Sequence, residues 1–202
     1  EFRTRSAISG IFLYVISTLF VVYETFVKIQ PNVWNTLFWI ILLFIAINAI
    51  GKSFTQESTQ RNLFYYTIVS PEAIIYSKII YNSIVMIGIS LVGFFFYSWV
   101  MGNPVGNIPL YLVAIVLGGI GFASTLSLMA GIAAQGENSA TLMAVLSFPV
   151  IIPLLLLILK LAKSAMDGIS IQENWDEIAL LSSLDTIVIV LSGILFPFIW
   201  KH

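Results

Sequence analysis

The residues able to do chemistry are few, and most of the useful ones stand together. The segment 51–70, GKSFTQESTQRNLFYYTIVS, holds Lys52, Glu57 and Arg61 beside Phe54, Leu63, Phe64, Tyr65, Tyr66, Ile68 and Val69, between two long apolar runs. This mixture suits an amphipathic helix at a membrane surface with an aromatic edge turned to a partner. The chemistry open to it is docking. Ser53 followed by Gln56 predicts a capping box at its start. Ser70-Pro71-Glu72 predicts an N-cap, a first-turn proline and an early acid for the helix that follows. A plain solvated connecting helix is the alternative reading of the same stretch.

Bond-making chemistry falls by elimination. His202 is the single histidine and there is no cysteine, so the predicted spans contain no Ser-His pair, histidine metal centre or thiolate. No two acids are spaced to meet at mid-membrane on one helix, and no GxxxxGK[ST] phosphate loop is present. The net charge of −1 leaves no basic footprint for nucleic acid. The expectation is a non-enzyme.

The positioning elements follow from composition. Of the 202 residues, 59% are hydrophobic and 9% charged, against roughly 45–50% and about 25% in soluble domains. A soluble fold of this size could not bury so much apolar surface, so the chain is expected to be an all-α integral membrane protein and a single transmembrane domain, with the lipid bilayer as its principal partner. Six spans are predicted, at about 7–27, 33–50, 71–101, 109–134, 139–161 and 184–200, with a cytosolic coupling segment at 51–70 between the second and third and an outer segment at 162–181. The chain opens on Glu1, and a preceding piece is expected; nothing at the start resembles a cleavable signal peptide.

Each span carries its own signals. In the first, Tyr23 and Glu24 lie near the far end, and Glu24 stands one turn from Lys28; an interfacial ion pair and a polar site at membrane depth are both open there. Trp34 and Trp39 in the second read as an interfacial aromatic belt. The third, at 31 residues, would be about 46 Å long, more than the ~30 Å hydrocarbon core. Its first turns should therefore project on the cytosolic side and move with the coupling segment as a lever. The uncharged GNPVGNIP segment after it predicts a compact turn. In the fourth span Gly119, Ala123, Ser127 and Gly131 recur at intervals of four, a stripe that lets helix backbones approach closely.

Pro149 and Pro153 interrupt the fifth span. Without their amide hydrogens the carbonyls of Val145 and Pro149 lose helical donors, so the helix should bend, as a hinge or as a fixed kink against a neighbour. Asp185 falls inside the last apolar run, but Ser182 three residues earlier predicts a capping box at a helix start. Arg3, Arg5, Lys52, Arg61, Lys78 and Lys201 fall inside, with Lys28, Lys160 and Lys163 outside. Both termini are accordingly expected in the cytosol.

Three strings carry a family resemblance: FRTRSAISGIFLYVISTLFVVYE at the start, TQRNLFYYTIVSPEAIIYSKIIYN leading into the third span, and LSFPVIIPLLLLILKLAKSAMDG in and after the fifth. With their SP-x-A-x-x-x-x-K and FP-x-x-x-P-L-L patterns, they resemble the haem exporter protein B (CcmB) family, ABC-2-type permeases of cytochrome c maturation. The similarity extends over essentially the whole chain. The resemblance implies a permease subunit in the bacterial inner membrane, present in two copies, beside a CcmA-like cytosolic ATP-binding subunit and a CcmC-like haem-handling membrane protein. It assigns ATPase contact to Gln56, Glu57, Arg61, Leu63, Phe64 and Tyr65, and force transmission to the helix from Pro71. No cofactor is assigned to this chain: haem enters as the transported or handled ligand, and ATP through the partner. An ABC-2-type exporter of lipid, glycan or drug shares every mechanical feature, whereas a non-ABC assembly factor would not need the coupling helix.

Overall fold

A computed structural model of the chain describes residues 17, 30–55, 70–134 and 139–200. Over these residues the chain is all-helical. Five helices follow one another: α1 (Pro31–Thr55), α2 (Pro71–Met101), α3 (Ile108–Ala133), α4 (Ser139–Met166) and α5 (Trp175–Trp200). A single 3₁₀ turn, Ile171–Asn174, precedes α5. All five helices contain stretches long and apolar enough to cross a membrane, as in a multi-pass membrane protein. The predicted first span lies outside the described residues, as do positions 56–69 of the coupling segment.

Helix boundaries follow local chemistry. Ser70 Oγ accepts from the Ala73 amide at the start of α2, with Pro71 and Glu72 in its first turn, as the Ser-Pro-Glu string predicts. Asn107 caps α3 by accepting from the Leu110 amide at 3.1 Å. The α4 terminus closes with Gly168 at φ +76°, where the Ile169 amide donates to Ser164 and the Gly168 amide to Ala165. That pair of bonds needs a left-handed residue, which glycine supplies without strain.

Three boundaries differ from expectation. The apolar span ends at Gly51 as expected, but the helix does not: α1 continues to Thr55, so Ser53 lies within a helix instead of capping one. The fifth span runs on to Met166. The last helix begins at Trp175, well before 184, with Asp176 and Glu177 in its first turn. Ser182 is thus inside α5, where its carbonyl accepts from Thr186 Oγ1, and the capping-box reading of Asp185 is overturned. Acids near the positive end of the helix dipole explain the earlier start.

The helices run alternately up and down. Asn82 and Ile87 of α2 meet Ser127 and Gly119 of α3 in reverse order, and Ile158 and Leu154 of α4 likewise meet Gly118 and Gly121. At the centre stands α3, which packs against each of the other four helices and is buried along most of its length. Small residues permit this: a β-carbon on Gly118 would lie 2.7 Å from the Trp39 ring, and one on Gly119 3.0 Å from Ile87.

Trp34 and Trp39 are not belt residues. Their exposures are 1% and 0%, inside an aromatic cluster with Phe38, Phe94, Tyr97, Tyr111 and Phe122. Trp34 packs tilted against Tyr97, with ring centroids 4.6 Å apart, and donates from Nε1 to the Gly102 carbonyl at 3.1 Å. Tyr97 donates to the Trp34 carbonyl and Tyr111 to Asn35 Oδ1, each at 3.1 Å. The polar tips of Trp34, Tyr97 and Tyr111 are satisfied and the rings pack on one another, so burial wins over the interface. The 102–109 turn docks on the end of α4: the Gly106 and Asn107 amides donate to Met166 and Ala165, and Asn107 Nδ2 donates to Ile169.

Candidate functional site

Three helices converge on Gly121, halfway along α3. A β-carbon there would lie 2.6 Å from Asp185 Oδ1 of α5 and 2.6 Å from Leu154 Cδ1 of α4. Only glycine leaves room for a carboxylate and a leucine together. Asp185 is 4% exposed, and neither of its oxygens has a hydrogen-bond partner among the described residues. One turn further along α3, on the Gly121 face, Thr125 is fully buried with its hydroxyl oxygen unpartnered. The neighbouring Ser124 hydroxyl instead donates to the Gly121 carbonyl at 3.2 Å.

The depth of this group matters. Asp185 lies ten residues into α5, or about 15 Å from its start, near the middle of a membrane-length helix. Leaving a carboxylate unpaired in such a place costs several kcal/mol, which makes an ionisable residue at membrane depth a functional group by default. No group of three or more histidine, cysteine or acidic side chains able to hold a metal ion occurs among the described residues.

The carboxylate was missed in the sequence because a local cap offered a cheaper account of it. The signal that finds it is the continuous helical run from Trp175, opened by two acids, which puts Asp185 well past any first turn.

The other sequence-derived candidates are distributed as follows. Gly119 faces Ile87 of α2, Ala123 and Gly131 are buried, and Ser127 Oγ accepts from Asn82 Nδ2 at 2.9 Å. The stripe therefore lies along the seam with α2. Pro149 and Pro153 sit inside α4 on its exposed side, while Met143, Ser147, Ile151, Leu154 and Ile158 form its buried face. Both prolines face away from the packed seam, and Leu154, on the buried face, directly follows the second. Pro71 opens α2. Gln56, Glu57, Arg61, Leu63, Phe64 and Tyr65 lie outside the described residues, as do Tyr23 and Glu24.

Comparison with protein-family models, with curated proteins and with solved structures finds no match to this chain.

Proposed function

We propose that this chain is the permease subunit of an ABC-2-type exporter in a bacterial inner membrane, with both termini in the cytosol. In this reading two copies work with a CcmA-like ATP-binding subunit and a CcmC-like haem-handling protein to deliver haem for cytochrome c biogenesis. The observation that carries the reading is α2, an uninterrupted helix of 31 residues that starts at the capped Ser70-Pro71 turn, directly after the proposed coupling segment. At about 46 Å it exceeds the ~30 Å hydrocarbon core. A stiff helix of that length, joined to α3 by Asn82 and Ser127, can carry a displacement from the cytosolic surface into the bundle. The family resemblance of the 59–82 and 146–168 strings supplies the substrate class.

Motion would proceed from the ATPase through Gln56, Glu57, Arg61, Leu63, Phe64 and Tyr65 to Pro71 and along α2. Movement of α2 against the Gly119–Gly131 stripe would then displace α3, and α4 would give way at Pro149 and Pro153. Nucleotide chemistry belongs to the partner, and axial haem ligation to the haem-handling protein, since His202 is the only histidine. Replacing Leu63 and Phe64 with aspartate tests the docking step. Loss of ATPase association with the helical content unchanged is expected; an intact complex in detergent would overturn the docking assignment.

A further inference from the structure

Among the described residues the charge of Asp185 has no counterpart in its surroundings. Helix α3, against which its carboxyl packs, contains no charged residue, and the α3 tyrosine, Tyr111, is bonded to Asn35. On α4 the cations are Lys160 and Lys163, in the last turns before Met166; Lys160 Nζ lies 3.0 Å from Glu177 Oε1 of α5. On α2, Glu72 and Lys78 belong to the first turns, the Tyr76 hydroxyl packs at Gly193, two turns beyond Asp185, Tyr81 is exposed, and Tyr97 is bonded to Trp34. The 3₁₀ turn contributes Glu173, which accepts from Ser170, and α5 itself Asp176 in its first turn. None of these hydrogen-bonds to Asp185.

A hard metal cation asks for about six oxygen ligands. Among the described residues the unpartnered oxygens here are the two of Asp185 and that of Thr125, too few for such an ion. A proton needs a single lone pair and restores a neutral side chain, which the dry interior tolerates.

We propose that Asp185 is a proton-binding site built into the junction of α3, α4 and α5, loaded while Leu154 and Gly121 enclose it and unloaded when α4 swings away and water enters. The proton moves between one carboxylate oxygen and water, with no other bond made or broken. Because the enclosed form holds one proton more than the open form, raising the pH favours opening. The ratio of open to enclosed bundle then rises by up to tenfold per pH unit. Glycine at 121 admits the carboxyl, and the prolines of α4 lie on the side away from the junction, where bending frees Leu154. The inference stands independently of the transported molecule and of any ATPase.

The test uses the full-length protein in lipid nanodiscs. Infrared spectra at neutral pH should show a carbonyl stretch of an uncharged carboxylic acid that shifts in heavy water and is missing in Asp185→Asn. The asparagine variant preserves side-chain size, and circular dichroism checks that it folds. If Asp185→Asn removes only carboxylate bands, or if sodium, potassium or magnesium at fixed pH abolishes the acid band, the site does not bind a proton in this way. The chain has no cysteine, so spin labels at Val116→Cys and Ile152→Cys, both exposed positions, report α3–α4 separation without background. Longer distances on raising the pH, absent in Asp185→Asn, are expected. A distribution independent of pH in the parent protein overturns the coupling.

Discussion

Asn82 of α2 donates from Nδ2 to Ser127 Oγ of α3 at 2.9 Å, a buried hydrogen bond between two membrane-length helices. It is a polar link between α2 and α3, the helix around which the others pack. Ser127 belongs to the small-residue stripe, so a contact suited to close approach also sets the register of the two helices.

Removing that link should show as coupling. In hydrocarbon an interhelical bond of this kind is worth about 0.6 kcal/mol on average and up to about 1.7 kcal/mol. Asn82→Ala and Ser127→Ala should each lower thermal stability, and the double variant should lose less than the sum of the two. Additive losses in a thermal-unfolding cycle in detergent would show that the bond contributes nothing to the register.

Glycine substitutions separate packing from propensity. Gly118→Ala drives a methyl against the Trp39 ring, 2.7 Å away and locked in the aromatic cluster, and should cost about 1–3 kcal/mol. Gly88→Ala on α2 meets nothing within 4 Å and removes backbone freedom, so a gain of about 0.5–1 kcal/mol is expected. Denaturant or thermal midpoints compare the two directly; equal effects would mean that Trp39 does not rest on α3.

The prolines of α4 can be examined by restoring their missing donors. The double variant Pro149→Ala, Pro153→Ala gives the carbonyls of Val145 and Pro149 their amide partners back. It should raise the thermal midpoint, because proline within a helix costs about 3 kcal/mol. As a hinge, the same variant should also suppress any change in α3–α4 label distance. A stabilised protein whose distances change as before would make the prolines a fixed kink.

Much of the helical plan was legible in the sequence. Run lengths and breakers place α1 to α4, and Ser70-Pro71-Glu72 marks the start of α2 by chemistry that depends on nearest neighbours alone. What escaped depends on tertiary packing. Trp34 and Trp39 near a span end look interfacial until the glycine at 118 is known to face Trp39. Ser53 looks like a cap because its string has the capping pattern, yet α1 continues through it to Thr55. Asp185 was hidden by Ser182 for the same reason: a local motif was available, while the continuous helix from Trp175 that overrides it is a property of the longer stretch. The convergence of Gly121, Leu154 and Asp185 joins residues far apart in sequence, which no spacing rule connects.

The most direct measurement is affinity purification of the full-length protein from its native membrane, with co-purifying subunits identified by mass and bound pigment read by absorbance. An ATP-binding subunit recovered together with a haem-handling membrane protein is the result expected of a haem-delivery permease. An ATP-binding subunit without haem or its handler would keep the exporter and remove the haem assignment. Recovery with no ATP-binding subunit at all would contradict the proposed force-transmitting role.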